Sequence, residues 1–196
     1  MQIVVGISGA SGSIYGLRIL EKLRDFSDVE IHLVMTRAAE RTAWLETGRT
    51  ANDFRVLAHY HYPVEDISAP LASGSFLTAG MVIAPCSIRT MSAIATGISN
   101  DLLTRAADVC LKERRRLVLM VRESPYHLGH LRTMVALTEM GAVVAPPVPG
   151  FYTRPETVRD IVDHSVDRAL DLLGLAVSDA RRWKGAGGER GDVAKS

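Results

Sequence analysis

The stretch that decides the fold is residues 2–16, which read QIVVGISGASGSIYG. Residues 2–7 are a mostly unbroken apolar run rich in Val and Ile, and such a run predicts a buried β-strand. The glycines that follow allow a tight turn, and residues 13–24 have the apolar periodicity of an α-helix. A strand, a glycine loop and a helix in direct succession indicate the start of a parallel βαβ arrangement.

The same alternation of apolar runs and helical periodicity continues along the chain. We predict strands over residues 2–7, 29–35, 81–84, 117–121 and 142–145. We predict helices over residues 13–24, 38–46, 88–95, 101–115 and 128–140, and a last helix that begins at Pro155 and ends near Gly174. Unbroken apolar strands are typical of a parallel sheet covered on both faces. The predicted fold is therefore α/β, a three-layer, Rossmann-like or flavodoxin-like parallel sheet with helices on both faces.

The composition indicates one folded domain. The chain has 196 residues, is 47% hydrophobic, and carries 23 Lys and Arg against 22 Asp and Glu, for a net charge of +1. We predict a single domain over residues 1–184 and a disordered tail over residues 185–196, which are rich in Gly and charge. A net charge this small excludes nucleic acid and anionic membranes as the main partner.

The cysteines and histidines do not indicate a metal or disulfide framework. Cys86 and Cys110 lie in apolar segments without paired spacing. The apolar runs are shorter than the roughly 18 residues that a membrane span needs, so we expect a cytoplasmic protein. Two histidine pairs lack a third ligand nearby and are interpreted as solvated or capping residues, so we expect no bound metal: His59 with His61, and His127 with His130.

Ligands of an open parallel sheet bind beyond the carboxyl ends of its strands, so the residues just after each strand are the candidates. The first strand leads into glycines, hydroxyls and a helix N-terminus, which can hold an anion; a turn needed only for packing is the alternative. The chain lacks a Walker A lysine and the G-x-G-x-x-G pattern at this loop. No acid follows the second strand at Thr36, which counts against NAD, while Arg37 leaves NADP open.

The third and fourth strands also end in polar residues. Ser87 opens a helix, either as a ligand contact or as a plain N-cap. Arg122 and Glu123 follow the fourth strand as a candidate cation and proton-transfer group, or as a surface ion pair. We interpret Cys86 as a small wall residue, since no His and Asp partners can be assigned to it as a nucleophile.

Other cations and one aromatic residue could bind phosphate. Arg105 and Lys112 are seven residues apart and share a helix face, where a solvated salt-bridge ladder explains them equally well. Arg168 flanks the apolar stripe of the last helix, as a ligand or as a side chain whose stem covers that stripe. Tyr152 follows a proline-rich loop and either contacts a ligand or packs at a subunit contact.

Seven segments of the chain occur in the same order as in a known protein family and carry a resemblance to it. They are GISGASGSIYG (6–16), ASGS (72–75), PCSIRT (85–90), RAADV (105–109), LKERR (111–115), RE (122–123) and PGFY (149–152). The chain resembles the UbiX/Pad family of flavin prenyltransferases over roughly residues 1–175. It departs from the family pattern at Thr36, where Ser is common, and at Arg116, where Pro usually follows the basic run.

The resemblance implies an activity, its substrates and its partners. Members of this family transfer a dimethylallyl group from its phosphate ester to N5 and C6 of reduced FMN without a metal. The prenylated FMN serves UbiD-type decarboxylases. Members assemble as homo-oligomers, typically dodecamers, with the flavin at the subunit interface. The resemblance therefore implies FMN and dimethylallyl phosphate as substrates and a UbiD-type decarboxylase as the recipient.

The resemblance also implies three sets of site residues. The FMN-binding set is Gly9, Ala10, Ser11, Thr36, Ser87, Ile88, Arg89, Thr90 and Arg122. The prenyl-phosphate set is Arg105, Lys112, Tyr152 and Arg168. The catalytic set is Glu46, Glu123, Lys112 and Ser11, with Glu46 acting in its own or in a neighbouring subunit's site.

Three rival functions remain open at the level of sequence. A flavin-dependent cysteine decarboxylase shares the predicted sheet, but its P-A-S-A-N-T segment is replaced here by Pro85-Cys86-Ser87. A non-catalytic FMN carrier or accessory subunit predicts flavin binding without a need for Lys112, Glu123 and Arg168 together. An NADP oxidoreductase is disfavoured by the hydroxyl-rich strand ends.

Overall fold

The structure is a computed structural model that describes residues 1–177. The predicted tail at 185–196 and the end of the predicted domain, residues 178–184, lie outside the described residues. One sheet of six parallel strands has the order β3-β2-β1-β4-β5-β6. The strands are β1 (Gln2–Ile7), β2 (Glu30–Met35), β3 (Tyr60–Tyr62), β4 (Gly80–Cys86), β5 (Arg116–Val121) and β6 (Val143–Val144).

Helices cover both faces of this sheet. The α-helices of residues 1–177 are α1 (Ser13–Leu23), α2 (Arg37–Thr47), α3 (Ala51–Arg55), α4 (Ile88–Ala95), α5 (Leu102–Lys112), α6 (Leu128–Glu139) and α7 (Val158–Leu173). Apolar residues of α1, α2, α3 and α7 form the core on one face, and those of α4, α5 and α6 form the core on the other. The predicted three-layer α/β fold is confirmed.

The strand order reverses between β1 and β4, which are neighbours in the sheet. Chains leaving two such strands diverge to opposite faces and open a crevice beyond the carboxyl ends of the strands. Helix α1 comes very close to β4 here, because a Cβ on Gly16 would lie 2.5 Å from the Ala84 carbonyl oxygen. Only glycine allows this approach, so the sequence motif fixes the distance between the two walls of the crevice.

The strand β3 is the main element that the sequence prediction missed. It has three residues, is partly exposed, and pairs with β2 at the edge of the sheet. Its aromatic and histidine side chains give no apolar run, but Tyr60 and Tyr62 stack on the buried ring of His32. The short helix α3 was also not predicted. Part of the chain between the predicted helix over 38–46 and the predicted strand over 81–84 is therefore an edge strand held by aromatic contacts.

Several predicted boundaries shift for local reasons. The predicted helix over 101–115 ends at Lys112, because Arg114 has a φ of 58° and the chain turns there. The last helix begins at Val158 instead of Pro155, because Thr157 and Asp160 form a capping box. The predicted strand over 142–145 pairs only through its two central residues.

Candidate functional site

The crevice lies where the loops after β1 and β4 meet. The Ser8 hydroxyl donates to the Pro85 carbonyl oxygen at 2.9 Å and accepts from the Ser87 amide at 2.7 Å. Gly12 begins α1 with a φ of 103°. A Cβ on Gly9 would lie 2.4 Å from the Cβ of Ala38, so this loop packs directly on the start of α2. Glycine is therefore needed here for close packing as well as for turning.

The N-terminus of α1 holds an anion, and that anion is the carboxylate of Glu46. Its oxygens accept from the Gly12 amide at 2.9 and 3.1 Å, from the Ser13 amide at 2.9 Å and from the Ser13 hydroxyl at 2.6 Å. Partial burial raises the pKa of Glu46, but hydrogen bonds from Ser11, Ser13 and Gly12 outweigh it and hold the pKa below its usual value. The structure thus brings Glu46 and Ser11 together within one chain.

Two further helix N-termini border the crevice. The Ser87 hydroxyl caps α4 by accepting from the Thr90 amide at 3.2 Å, and it also donates to the Thr90 hydroxyl. The Thr36 hydroxyl caps α2 by accepting from the Ala39 amide at 3.1 Å. Both residues are N-caps, and the first-turn amides of α4, including those of Ile88 and Arg89, face out of the helix end at the crevice.

Arg122 and Glu123 lie beside these loops at the end of β5. The Arg122 amide donates to the Cys86 carbonyl oxygen at 3.1 Å, next to the start of α4. Burial raises the pKa of Tyr15 in α1, and the nearby positive charge of Arg122 partly opposes that rise. The Glu123 carboxylate accepts from the Ser124 amide at 2.9 Å. Within residues 1–177, neither Arg122 nor Glu123 takes part in an ion pair.

Cys86 is part of the crevice wall. Its thiol is fully buried, and burial raises its pKa to about 12. A thiol that stays protonated at neutral pH is a poor nucleophile, which agrees with its interpretation as a wall residue.

Arg105 and Lys112 lie at the other edge of the sheet. Helix α5 ends at Lys112, four residues before β5 begins at Arg116, so this lysine lies at the amino edge. A Cβ on Gly74 would lie 2.6 Å from its Nζ, and Lys112 pairs with Glu113. The Arg105 guanidinium donates to the Ala72 carbonyl oxygen at 3.1 Å. We call residues 72–75 with Arg105 and Lys112 the amino-edge cluster.

The amino-edge cluster is separated from the crevice by the length of the sheet. A strand of six residues spans about 20 Å, so Lys112 cannot reach the crevice of its own chain. Arg105 also pairs with Asp108 at 2.7 Å, as the salt-bridge interpretation predicts. This separation could have been predicted, because a helix that precedes a parallel strand ends at the amino edge of the sheet.

Tyr152 contacts α7, the helix that also carries Arg168. The Tyr152 hydroxyl is 2.9 Å from Nε2 of His164, one turn before Arg168. Arg168 is 64% exposed and lies 4.0 Å from Asp171. Sequence reasoning did not single out His164. The four-residue spacing to Arg168 is the signal that could have found it.

The histidine pairs have structural roles. Nδ1 of His127 caps α6 by accepting from the Gly129 and His130 amides, and Nδ1 of His59 accepts from the Ile31 amide at 3.0 Å. Within residues 1–177 no three His, Cys, Asp or Glu side chains are grouped so that they could hold a metal ion. In the same range no helix is both long and apolar enough to cross a membrane.

These features define the class of the protein. A crevice at the reversal point of a parallel sheet, bordered by hydroxyls and helix N-termini, is the binding site of proteins that hold a phosphate-bearing nucleotide or flavin. The Flavoprotein family matches residues 1–170 of the chain.

The chain belongs to the UbiX family of flavin prenyltransferases. The flavin prenyltransferase UbiX of Escherichia coli (strain K12) is 52% identical over 187 residues, which are 94% of this chain and 99% of the relative. UbiX of Thauera aromatica is 54% identical over 196 residues, which are all of both chains. The predicted resemblance is confirmed.

Solved structures agree with this assignment. The dodecameric FMN-dependent Ubix-like decarboxylase from Escherichia coli O157:H7 has a TM-score of 0.92 and 47% identity, covering 94% of this chain and 100% of that chain. AnUbiX (PadA1), solved with FMN and dimethylallyl pyrophosphate, has a TM-score of 0.91 and 47% identity, covering 94% and 97%. The cysteine decarboxylase TvaF shares the fold at a TM-score of 0.62 and 18% identity.

Proposed function

We propose that this protein transfers a dimethylallyl group from dimethylallyl phosphate to N5 and C6 of reduced FMN. The observation that carries the proposal is identity above 50% over essentially the full length of flavin prenyltransferases. The geometry supports it, because Ser11, Glu46 and Arg122 border one crevice between β1 and β4.

The crevice suits a flavin that carries a phosphate. Glu46 already occupies the N-terminus of α1, which leaves the N-terminus of α4 for the FMN phosphate. In the proposed site that end of the flavin contacts Ser87, Ile88, Arg89 and Thr90, and Thr36 and Arg122 lie on either side. Gly9, Ala10 and Ser11 line the crevice without bulky side chains, so a planar ring can approach the backbone.

The site is completed by a second subunit. Lys112 and Arg105 lie at the amino edge of their own chain, while the reacting acids lie at the carboxyl edge. A homo-oligomer in which one subunit's amino-edge cluster faces another subunit's crevice brings the two sets together. The related E. coli structure is dodecameric. The outer face of α6, with Leu128, Leu131 and Val135 exposed, provides apolar surface for such assembly.

The residues have chemically distinct tasks. Arg and Lys side chains neutralise the phosphate of the donor and stabilise its departure when the carbon–oxygen bond breaks. When the carbon–oxygen bond breaks and the N5–carbon bond forms, the N5 proton is released with the phosphate. Closing the ring at C6 then adds a proton to the prenyl double bond and removes one from C6, and in the proposed site Glu123 accepts that proton or relays it to the leaving phosphate. Glu46, held ionised by four hydrogen-bond donors, keeps Ser11 oriented toward the reacting face in the proposed site.

The product has a chemical destination. The family to which this chain belongs makes prenylated FMN for UbiD-type decarboxylases. We therefore propose such an enzyme as the recipient. Cys86 and Cys110 are both free, as is usual for proteins of the reducing cytoplasm, so we propose a cytoplasmic location.

The test is anaerobic incubation of the protein with reduced FMN and dimethylallyl phosphate, followed by mass spectrometry of the extracted flavin. A flavin heavier by one C5H8 unit is expected. Dimethylallyl pyrophosphate is assayed in parallel to identify the donor. Unmodified FMN with both donors, in protein shown to bind FMN, would contradict the proposal and favour a flavin carrier.

A further inference from the structure

Tyr152 and His164 form a contact that the described activity does not yet use. The Tyr152 hydroxyl lies 2.9 Å from Nε2 of His164. The two rings meet edge to face, with centroids 5.4 Å apart and an interplanar angle of 83°. Tyr152 is half exposed, and its hydroxyl contacts α7 through His164.

The local chain is shaped for this contact. A Cβ on Gly150 would lie 2.9 Å from Cε1 of His164 and 3.1 Å from Cε1 of Tyr152. Any other residue at position 150 would therefore push the two rings apart. The Thr153 hydroxyl donates to the Gly150 carbonyl oxygen at 3.0 Å and closes the turn that carries Tyr152.

His164 also lies next to the other phosphate-binding candidate of this region. It precedes Arg168 by one helical turn, so both side chains project from the same face of α7. Both line a small pocket together with Pro146, Pro147 and Val148, the loop that leads to Tyr152.

We propose that His164 is a positioning residue for binding of the prenyl phosphate. Its Nε2–H donates to the phenol oxygen of Tyr152, and the phenol O–H is then directed to a phosphate oxygen beside Arg168. This role rests on the proposed function, which makes Tyr152 and Arg168 ligands of the donor phosphate. No covalent step passes through His164.

The proposed role of His164 affects binding of the donor and not the chemical step. A net hydrogen bond of ordinary strength corresponds to about a threefold to tenfold change in affinity. We expect His164→Phe, which keeps an aromatic ring but cannot hydrogen-bond, to raise KM for dimethylallyl phosphate by that factor. The kcat and the Kd for FMN stay within about twofold of the parent values. His164→Gln, whose amide can donate to the same phenol, keeps a KM near the parent value.

A double-mutant cycle distinguishes positioning from a purely structural role. If His164 acts through Tyr152, adding His164→Phe to Tyr152→Phe has no further effect on KM. Additive effects, or an unchanged KM in His164→Phe, would overturn the proposal. His164→Asn, too short to reach the phenol, is expected to match His164→Phe and replaces it if the latter does not fold.

A binding measurement keeps this test independent of turnover. Dimethylallyl phosphate is titrated calorimetrically into protein loaded with oxidised FMN, for the parent and the same variants. A parent that binds the donor but makes no prenylated flavin contradicts the proposed function, while the threefold to tenfold loss in His164→Phe still supports the role of His164. A parent that does not bind the donor overturns both.

Discussion

The crevice and the amino-edge cluster differ in how completely one chain builds them. In the crevice, Glu46 is held by backbone and hydroxyl donors from α1, and the loops after β1 and β4 hydrogen-bond to each other. In the amino-edge cluster, Lys112 pairs with its exposed neighbour Glu113, and Arg105 pairs with Asp108 on the same helix. In the proposed site, the flavin half would therefore be preorganised within one subunit, whereas Arg105 and Lys112 would act only with a second subunit.

The largest expected effect comes from the proton-transfer group of the crevice. Glu123→Gln keeps the shape and the Ser124 contact of the side chain but removes its basicity. We expect FMN affinity to be retained and kcat to fall about a hundredfold to ten-thousandfold, the usual contribution of a general acid or base. Single-turnover prenylation under anaerobic conditions measures this.

A matched control for that variant is Glu65→Gln. Glu65 forms an exposed ion pair with Arg37 and belongs to none of the proposed sets of site residues, so its loss should leave kcat within about twofold. If Glu123→Gln turned over as fast as Glu65→Gln, the acid role of Glu123 would be wrong.

Mixing two variants tests whether the crevice of one subunit works with the amino-edge cluster of another. Lys112→Ala and Glu123→Gln should each be nearly inactive as pure oligomers. When the two are dissociated and reassembled at equal amounts, some sites combine an intact crevice with an intact amino-edge cluster. Random mixing then restores about a quarter of the parent rate.

The control for mixing uses two defects of the same region. Arg105→Ala and Lys112→Ala both alter the amino-edge cluster, so every mixed site retains one defect and little activity returns. Restoration by this pair, or none by Lys112→Ala with Glu123→Gln, would show that the site does not join these two regions of different subunits.

The residues of the crevice could be predicted from the sequence more fully than the arrangement of the completed site. The polar residues at the strand ends could be predicted, because position after a parallel strand determines which edge a residue occupies. The edge strand at Tyr60–Tyr62 could not, because its stability comes from ring contacts with His32 that leave no apolar periodicity. In the proposed assembly Lys112 acts in the crevice of another subunit, which the sequence of one chain does not indicate. His164 is identified only by its distance to Tyr152.

The smallest expected effect concerns folding stability. It compares Glu46, which its own chain holds in the crevice, with Lys112 of the amino-edge cluster. Glu46→Gln removes a carboxylate from the N-terminus of α1 and should lower the free energy of unfolding by about 1 kcal/mol at pH 7. Lys112→Ala, which loses only an exposed pair, should change it by less than about 0.5 kcal/mol. Urea unfolding at fixed protein concentration measures both.

The Glu46 effect should also depend on pH in a defined direction. The folded protein lowers the pKa of Glu46 below the ordinary value of 4.5, so its carboxylate stabilises the fold fully above that pH. As the pH falls below 4.5 and through the lowered pKa, the stabilisation is lost and the difference between parent and Glu46→Gln should shrink. A difference that stayed constant from pH 7 to the acid limit of folding would mean that Glu46 acts through packing, and that the crevice is not preorganised by this charge.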